Sequence, residues 1–161
     1  MAERLRLSHV DTRGKARMVS VSVKPETLRA AEAEGRVILS EKAFRLVRLN
    51  RIAKGDVLGV ARIAGIQAAK RTGEWIPLCH PLSLTSVEVD LALDRNRRCV
   101  VITSRAEAHG PTGVEMEALT AVTAAALTVY DMCKAVDRGI RVEGIRLNWK
   151  RGGRSGDYRR A

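Results

Sequence analysis

Cysteine is scarce in this sequence. Its 161 residues include three cysteines, Cys79, Cys99 and Cys133, which lie far apart and form no CxxC pair. This spacing favours neither a disulfide framework nor a conventional zinc site, and it suits a reducing compartment. One zinc alternative stays open from the residues alone, a structural module built on Cys79, His80 and Cys133.

Long apolar runs are missing as well. No stretch approaches the roughly 18 apolar residues that identify a membrane-spanning helix. Residues 1–10 are polar and lack the hydrophobic region of a signal peptide. These absences predict a cytoplasmic protein that does not insert into a membrane.

Aromatic side chains make up 3% of the chain, so Val, Ile, Leu and Ala must fill the core, and abundant alanine favours closely packed helices. Acidic residues are also in the minority, 18 against 29 Lys and Arg, which gives a formal net charge of +11. A basic surface favours an anionic partner, whether nucleic acid, acidic lipid or a phosphorylated substrate. A nucleic-acid-binding domain is therefore the main alternative to an enzyme, although few aromatics are present on which bases could stack.

Hydrophobic periodicity and capping residues predict alternating strands and helices. In the first half they predict a strand over 18–23, a helix over 26–32 ended by Gly35, a strand over 36–39, a helix over 41–49 capped by Ser40 and a helix over 57–72 capped by Asp56. In the second half they predict a hairpin of strands over 87–91 and 99–102, a helix over 114–138 opened by a Thr112–Glu115 capping box and closed by Gly139, and a strand over 140–149.

From residue 36 onward, the predicted order is strand, helix, strand, strand, helix, strand, with one extra helix after the first strand. This is the split βαβ order of the ferredoxin-like fold, an α+β architecture with an antiparallel sheet and its main helices on one face. The whole chain, 1–161, is predicted to be one domain with a short polar amino terminus (about 1–14) and a Gly-rich basic tail (about 150–161).

Both main helices carry small residues at helical spacing, so we expect their small faces to pack together. These residues are Ala61, Ala64, Gly65 and Ala68 on the first helix, and Ala118, Ala121, Ala124, Ala125 and Thr128 on the second.

Basic residues surround the start of the first main helix. Lys54 and Asp56 stand directly before it, and Arg62, Lys70 and Arg71 lie along it. A helix amino terminus with nearby basic groups can hold phosphate. Capping plus a solvated charged surface is the commoner explanation of such a pattern.

Cys79 and His80 lie between Pro77 and Pro81. The prolines favour extended backbone, in which neighbouring side chains point to opposite sides, so the pair does not easily chelate one metal. His80 is either a positioned group for substrate binding or proton transfer, or a surface histidine beside a packing cysteine.

Charged residues mark both ends of the long helix. The capping box explains Glu115, whereas Glu117 is left without that explanation. Asp131 and Lys134 are either a surface ion pair or an acid and base tuned by each other. The tail over 150–156 could wrap phosphates with backbone N–H groups and cations, or remain a disordered basic end.

The order and spacing of these clusters resemble one known family, that of the cyclic pyranopterin monophosphate synthases (MoaC). The resemblance rests on residues 54–57, 61–72, 76–82, 112–120 and 130–136, and it extends from about Met18 to Tyr158.

The resemblance implies a ferredoxin-like lyase of molybdenum cofactor biosynthesis. Its members convert (8S)-3′,8-cyclo-7,8-dihydroguanosine 5′-triphosphate to cyclic pyranopterin monophosphate and release pyrophosphate. They assemble as hexamers, trimers of dimers, with active sites between subunits, and no nucleic-acid or membrane partner is expected. The sequence requires no cofactor or protein-bound metal, and Mg²⁺ accompanying the triphosphate is compatible with it.

By motif, the family's catalytic residues fall on Asp131, Lys134 and Lys54. Its substrate-binding residues fall on Leu78, Cys79, His80, Met116, Glu117, Lys150 and Arg62.

Two positions depart from the family pattern. Ser20 stands where members usually have aspartate, and Pro111 stands where a basic or amide residue usually precedes the Thr-Gly-Val-Glu motif. Spacing adds a further expectation. Glu117 and Asp131 are about 21 Å apart along a straight helix, so one site that uses both is expected to need two chains.

Overall fold

A computed structural model describes residues 14–161 as one antiparallel sheet with helices on one face. The elements are β1 (Thr27–Ile38), α1 (Glu41–Arg48), α2 (Val57–Ala69), α3 (Thr72–Trp75), β2 (Leu84–Asp94), β3 (Cys99–Gly110), α4 (Glu115–Cys133), β4 (Arg141–Arg151) and β5 (Tyr158–Arg159). The strand order is β2-β3-β1-β4-β5, in which every neighbouring pair is antiparallel. The predicted α+β, ferredoxin-like arrangement is confirmed.

The central strand β1 corrects the prediction for the first part of the chain. Residues 26–32, expected to be helical, belong largely to β1, which pairs with β3 on one side and β4 on the other. Ala31, Ala33 and Gly35 alternate towards the helices and are buried. Two rows of sheet hydrogen bonds and this burial outweigh the helical preference of the local sequence.

The strand expected over 18–23 is also absent. Within the described residues this segment has no regular structure, and it contains a turn in which the N–H of Lys24 donates to the carbonyl of Val21 at 3.0 Å. Val19 and Val21 face a cleft instead of pairing in the sheet. Val23, the third valine of the alternating run, is 94% exposed, so the alternation does not mark a half-buried strand.

The caps of α1 and α2 lie where the sequence predicts them. The Ser40 hydroxyl accepts from the N–H of Ala43 at 3.3 Å, and the Asp56 carboxylate accepts from that of Gly59 at 3.0 Å. The hairpin is confirmed too, and both of its strands are longer than predicted. Asp94 closes it by accepting from the N–H groups of Asn96 and Arg97.

Helix α4 differs from the prediction at both ends. No side chain caps it at Val114, and Glu115 lies 3.8 Å from Lys150 Nζ, so the Thr112–Glu115 capping box is wrong. The helix ends at Cys133 instead of 138. Just beyond it, the Asp137 carboxylate accepts from the N–H of Ser40 at 2.7 Å and from that of Gly139 at 2.9 Å, which holds a turn in place of further helix.

The small faces of α2 and α4 pack together as predicted. A β-carbon at Gly65 would lie 2.9 Å from the carbonyl oxygen of Ala121. Ala61 and Ala121 are fully buried in the core between the helices and the sheet. Among the described residues, no helix has the length and apolar character to cross a membrane.

Candidate active site

A cleft of about 830 Å³ opens beside the start of α4. Its walls come from the segment before β1, the start of β1, the loop after α3, the loop before α4 and the end of β4. Five cationic side chains and two carboxylates line it: Lys24, Arg29, Lys150, Arg151 and Arg154, with Glu115 and Glu117. This balance suits an anionic ligand.

Six of the residues expected to bind substrate meet in this cleft. They are Leu78, Cys79, His80, Met116, Glu117 and Lys150. They come from three segments that are far apart in sequence, the loop after α3, the first turn of α4 and the end of β4, and the fold brings these segments to one cleft. Their contact with a substrate stays a prediction.

Glu117 is the buried acid of the cleft, with 4% of its surface exposed. Burial raises its pKa to about 7, and the negative charge of Glu115 adds to the rise. Burial likewise raises the pKa of the Cys79 thiol, with Glu117 contributing. At neutral pH, Glu117 can therefore either give or take a proton, whereas Cys79 stays a thiol.

Arg29 is a cleft residue that the sequence analysis missed. It is 8% exposed, and its guanidinium donates to the carbonyls of Gly110 (3.2 Å) and Pro111 (3.4 Å). Because residues 26–32 were predicted to form a helix, Arg29 was not recognised as part of a strand. The period-two row Ala31, Ala33 and Gly35 was the signal that could have identified a buried strand and, with it, an arginine at the strand's end.

Lys150 lies near the end of β4 and lines the cleft. Its side chain is 17% exposed and lies 3.8 Å from Glu115, and it donates to the Ser155 hydroxyl. Lys150 thereby links the first turn of α4 to the loop after β4. Lys24, which also lines the cleft, was not predicted.

Asp131 forms a separate cluster at the other end of α4. Its carboxylate accepts from Lys54 Nζ at 2.6 Å and lies 2.7 Å from Lys134 Nζ. Hydrogen bonds from Lys134 and then Lys54 lower the pKa of Asp131 to about 2. The same bond raises the pKa of Lys134, so aspartate and lysine are both ionised near neutral pH.

The structure thus separates the predicted catalytic residues from the predicted substrate-binding ones. Lys54, Asp131 and Lys134 are about half exposed and do not line the cleft. Glu117 and Asp131 are fourteen positions apart on the unbroken helix α4, which is about 21 Å along its axis.

Arg62 lies at a third place, on the edge of the sheet. Its Nε donates to the carbonyl of Val89 at 2.9 Å, and its guanidinium is 4.0 Å from Asp90. These contacts attach α2 to β2. A role for Arg62 in substrate binding stays a prediction.

No group of three or more His, Cys, Asp or Glu within residues 14–161 has a geometry that could hold a metal ion. Cys79 and His80 line the cleft, whereas Cys133 is buried in the core at the far end of α4. The three residues of the zinc alternative therefore do not come together within one chain.

A ferredoxin-like fold with a basic, carboxylate-bearing cleft is an arrangement that suits an enzyme acting on a small molecule. The model of the MoaC family matches residues 18–153, and the chain belongs to this family. It is 62% identical to the cyclic pyranopterin monophosphate synthase of Thermomicrobium roseum, over 96% of this chain and 93% of the relative. It is 59% identical to the protein of the same name from Heliobacterium modesticaldum, over 94% and 96%. Molybdenum cofactor biosynthesis protein 1 of Mus musculus is 55% identical over 96% of this chain, which spans 24% of that protein.

Proposed function

We propose that this chain converts (8S)-3′,8-cyclo-7,8-dihydroguanosine 5′-triphosphate to cyclic pyranopterin monophosphate and releases pyrophosphate, as a lyase of molybdenum cofactor biosynthesis. The observation that carries the proposal is the cleft, which is lined by five cations and by a buried carboxyl group with a pKa of about 7. Its relatives from Thermomicrobium roseum and Heliobacterium modesticaldum are named for this activity.

The basic wall of the cleft binds the triphosphate. Lys150, Arg29 and Arg154 stand on it, and fixed cations stabilise the charge that builds on departing pyrophosphate. Glu117 and His80 orient the purine-derived part of the substrate. Glu117 suits this task because it can donate a hydrogen bond when protonated and accept one when ionised.

Asp131 and Lys134 move protons during ring opening and closure, with Lys54 holding the carboxylate in place. In this ionised cluster the Asp131 carboxylate can accept a proton and the Lys134 ammonium can donate one, and the contacts of 2.6 and 2.7 Å hold the three side chains together. The length of helix between this cluster and the cleft supports a site completed by a second chain. We therefore propose a homo-oligomer, a hexamer built as a trimer of dimers, in which one chain supplies the cleft and its neighbour supplies Asp131, Lys134 and Lys54.

The proposed reaction needs no resident cofactor. A Mg²⁺ ion would enter with the phosphate oxygens of the substrate, which are its preferred ligands. We place the reaction in the cytoplasm.

The test supplies the cyclised nucleotide to the purified protein and measures the pterin product and pyrophosphate. We expect both from the wild-type chain. Asp131→Asn should reduce turnover at least about 100-fold, within the usual contribution of a general acid or base, while substrate binding is largely kept. Glu143→Gln is the matched control, because Glu143 is another exposed carboxylate beside a cation, Arg141, at 3.8 Å.

Two results would contradict the proposal. One is a folded wild-type protein that forms no pterin. The other is tight binding to DNA or RNA that falls steeply with salt, without turnover of the nucleotide, which would favour the nucleic-acid alternative.

A further inference from the structure

The loop between β4 and β5 forms part of the basic wall of the cleft. We give the name cleft loop to residues 151–156, which are the last residue of β4 and the five residues after it; those from Arg151 to Ser155 line the cleft. The two strands hold its ends, since Lys150 pairs with Tyr158 and the N–H of Arg160 donates to the carbonyl of Asn148 at 2.8 Å.

The path of the cleft loop is unusual at two successive glycines. Gly152 and Gly153 have φ angles of +87° and +89°, a region that favours glycine. A β-carbon at Gly152 would collide with the carbonyl oxygen of Leu28, and one at Gly153 would collide with the guanidinium of Arg29. The loop thus lies directly against the buried arginine of the cleft.

Asp157 lies outside the cleft and holds the cleft loop in this conformation. Its carboxylate accepts from the N–H of Gly152 at 2.9 Å, and its other oxygen lies 3.8 Å from Arg151 Nε. Asp157 does not line the cleft. A negative charge this near the phosphate-binding wall opposes an anionic ligand, so electrostatics alone would disfavour an aspartate here.

We propose that Asp157 is a positioning residue for triphosphate binding: by accepting from the N–H of Gly152, it holds the cleft loop in the conformation that presents Arg154, Ser155 and the backbone of Gly153 to the phosphates. This inference rests on the proposed function for the identity of the ligand. The backbone hydrogen bond carries the effect, because the side chains of Asp157 and Arg151 are 66% and 71% exposed and such pairs contribute little.

If Asp157 acts by positioning the loop, Asp157→Asn and Asp157→Ala should have different KM values, whereas a charge effect alone should change both in the same way. Asp157→Asn keeps an oxygen that can accept from Gly152 and removes the repulsion of the phosphates. Asp157→Ala removes the hydrogen bond as well. Positioning therefore predicts an unchanged or lower KM for the asparagine variant and a raised KM for the alanine variant. A purely electrostatic role predicts a lower KM for both.

The experiment measures KM and kcat with the cyclised nucleotide, and the Kd of inorganic tripolyphosphate by calorimetry, for both variants. Asp94→Ala is the control for a general loss of stability, since Asp94 also caps a hairpin turn through two backbone N–H groups and lies outside the cleft. For Asp157→Ala we expect KM and Kd to rise about tenfold, in line with the loss of a hydrogen bond to a charged group, with kcat within about twofold.

Equal KM and Kd values for Asp157→Ala and Asp94→Ala would overturn the inference, as would a fall in kcat at unchanged KM. If the wild type binds tripolyphosphate in an Asp157-dependent way but forms no pterin, the inference stands and the proposed function fails. If pterin forms while Asp157→Ala behaves like the control, the reverse holds. A wild type that neither binds tripolyphosphate nor forms pterin overturns both.

Discussion

At the scale of single residues, the buried Glu117 links the stability of this protein to pH. Its pKa of about 7 lies above the ordinary value of 4.5, so the folded chain binds a proton more tightly than the unfolded chain does. Folding stability therefore falls as pH rises from about 4.5 through 7 and levels off above. The shift corresponds to about 3 kcal/mol.

Glu117→Gln should remove this dependence, because glutamine has a similar shape and cannot ionise. We expect the variant and the wild type to melt at similar temperatures near pH 5, and the variant to melt higher at pH 8.5. Thermal unfolding at a series of pH values measures the difference. Glu88→Gln, at an exposed position on β2, is the control, and a pH-independent gap between Glu117→Gln and wild type would disprove the linkage.

The side chains of the site were predictable only where a motif identifies them. Leu78, His80 and Lys150 follow from the family resemblance, and the structure brings them into one cleft. Arg29 and Lys24 could not be predicted in this way, because neither belongs to a family motif. Lys24 precedes β1 and Arg29 lies near its start, where the local sequence favours a helix. The raised pKa of Glu117 could not be predicted either, because it results from burial, and the segments that bury Glu117 are distant from it in sequence.

At the scale of elements, a helix or strand is predicted well where one local signal dominates and poorly where local and long-range signals compete. Side-chain caps at Ser40 and Asp56 determine where α1 and α2 begin, and both were predicted. The first half of β1 was mistaken for a helix because Ala and Glu favour helices in isolation, whereas its end was predicted as the strand over 36–39. Its strand conformation depends on β3 and β4, which follow it by more than 60 residues, so no local pattern specifies it.

The contact between α2 and α4 depends on Gly65. Gly65→Ala would place a methyl group 2.9 Å from the carbonyl oxygen of Ala121 and 3.2 Å from Val89, so the helices must separate. We expect a loss of about 1–3 kcal/mol in the free energy of unfolding, the usual cost of overpacking. Urea unfolding measures it.

Gly73→Ala is the matched control for this prediction. At Gly73 the nearest atom would lie 3.4 Å from the new β-carbon, which is ordinary contact. If Gly65→Ala were as stable as the control, α2 and α4 could not be as closely packed as described.

At the scale of the whole molecule, the distribution of charge on α4 constrains assembly. The helix carries the cleft acid at its start and the Asp131 cluster at its end, and it is continuous between them. No bend within one chain can bring the two ends together without breaking the helix. A complete site that uses both therefore requires the end of α4 from another copy.

This arrangement predicts complementation between two inactive variants. Asp131→Asn damages one half of the site and Lys150→Ala the other, so a mixed assembly regains a complete site wherever an intact cleft meets an intact cluster. With random pairing of chains, about a quarter of the two-chain sites are intact, and we expect about that fraction of wild-type turnover. The measurement uses co-expressed, differently tagged chains purified through both tags. Asp131→Asn mixed with Lys54→Ala is the control, because both changes fall in the cluster that a single chain supplies. Every chain in that mixture carries a damaged cluster, so no pairing of chains gives a complete site. Recovery in the first mixture but not in the second supports a shared site. No recovery in either mixture would show that each chain works alone, and equal recovery in both would contradict a cluster supplied by a single chain.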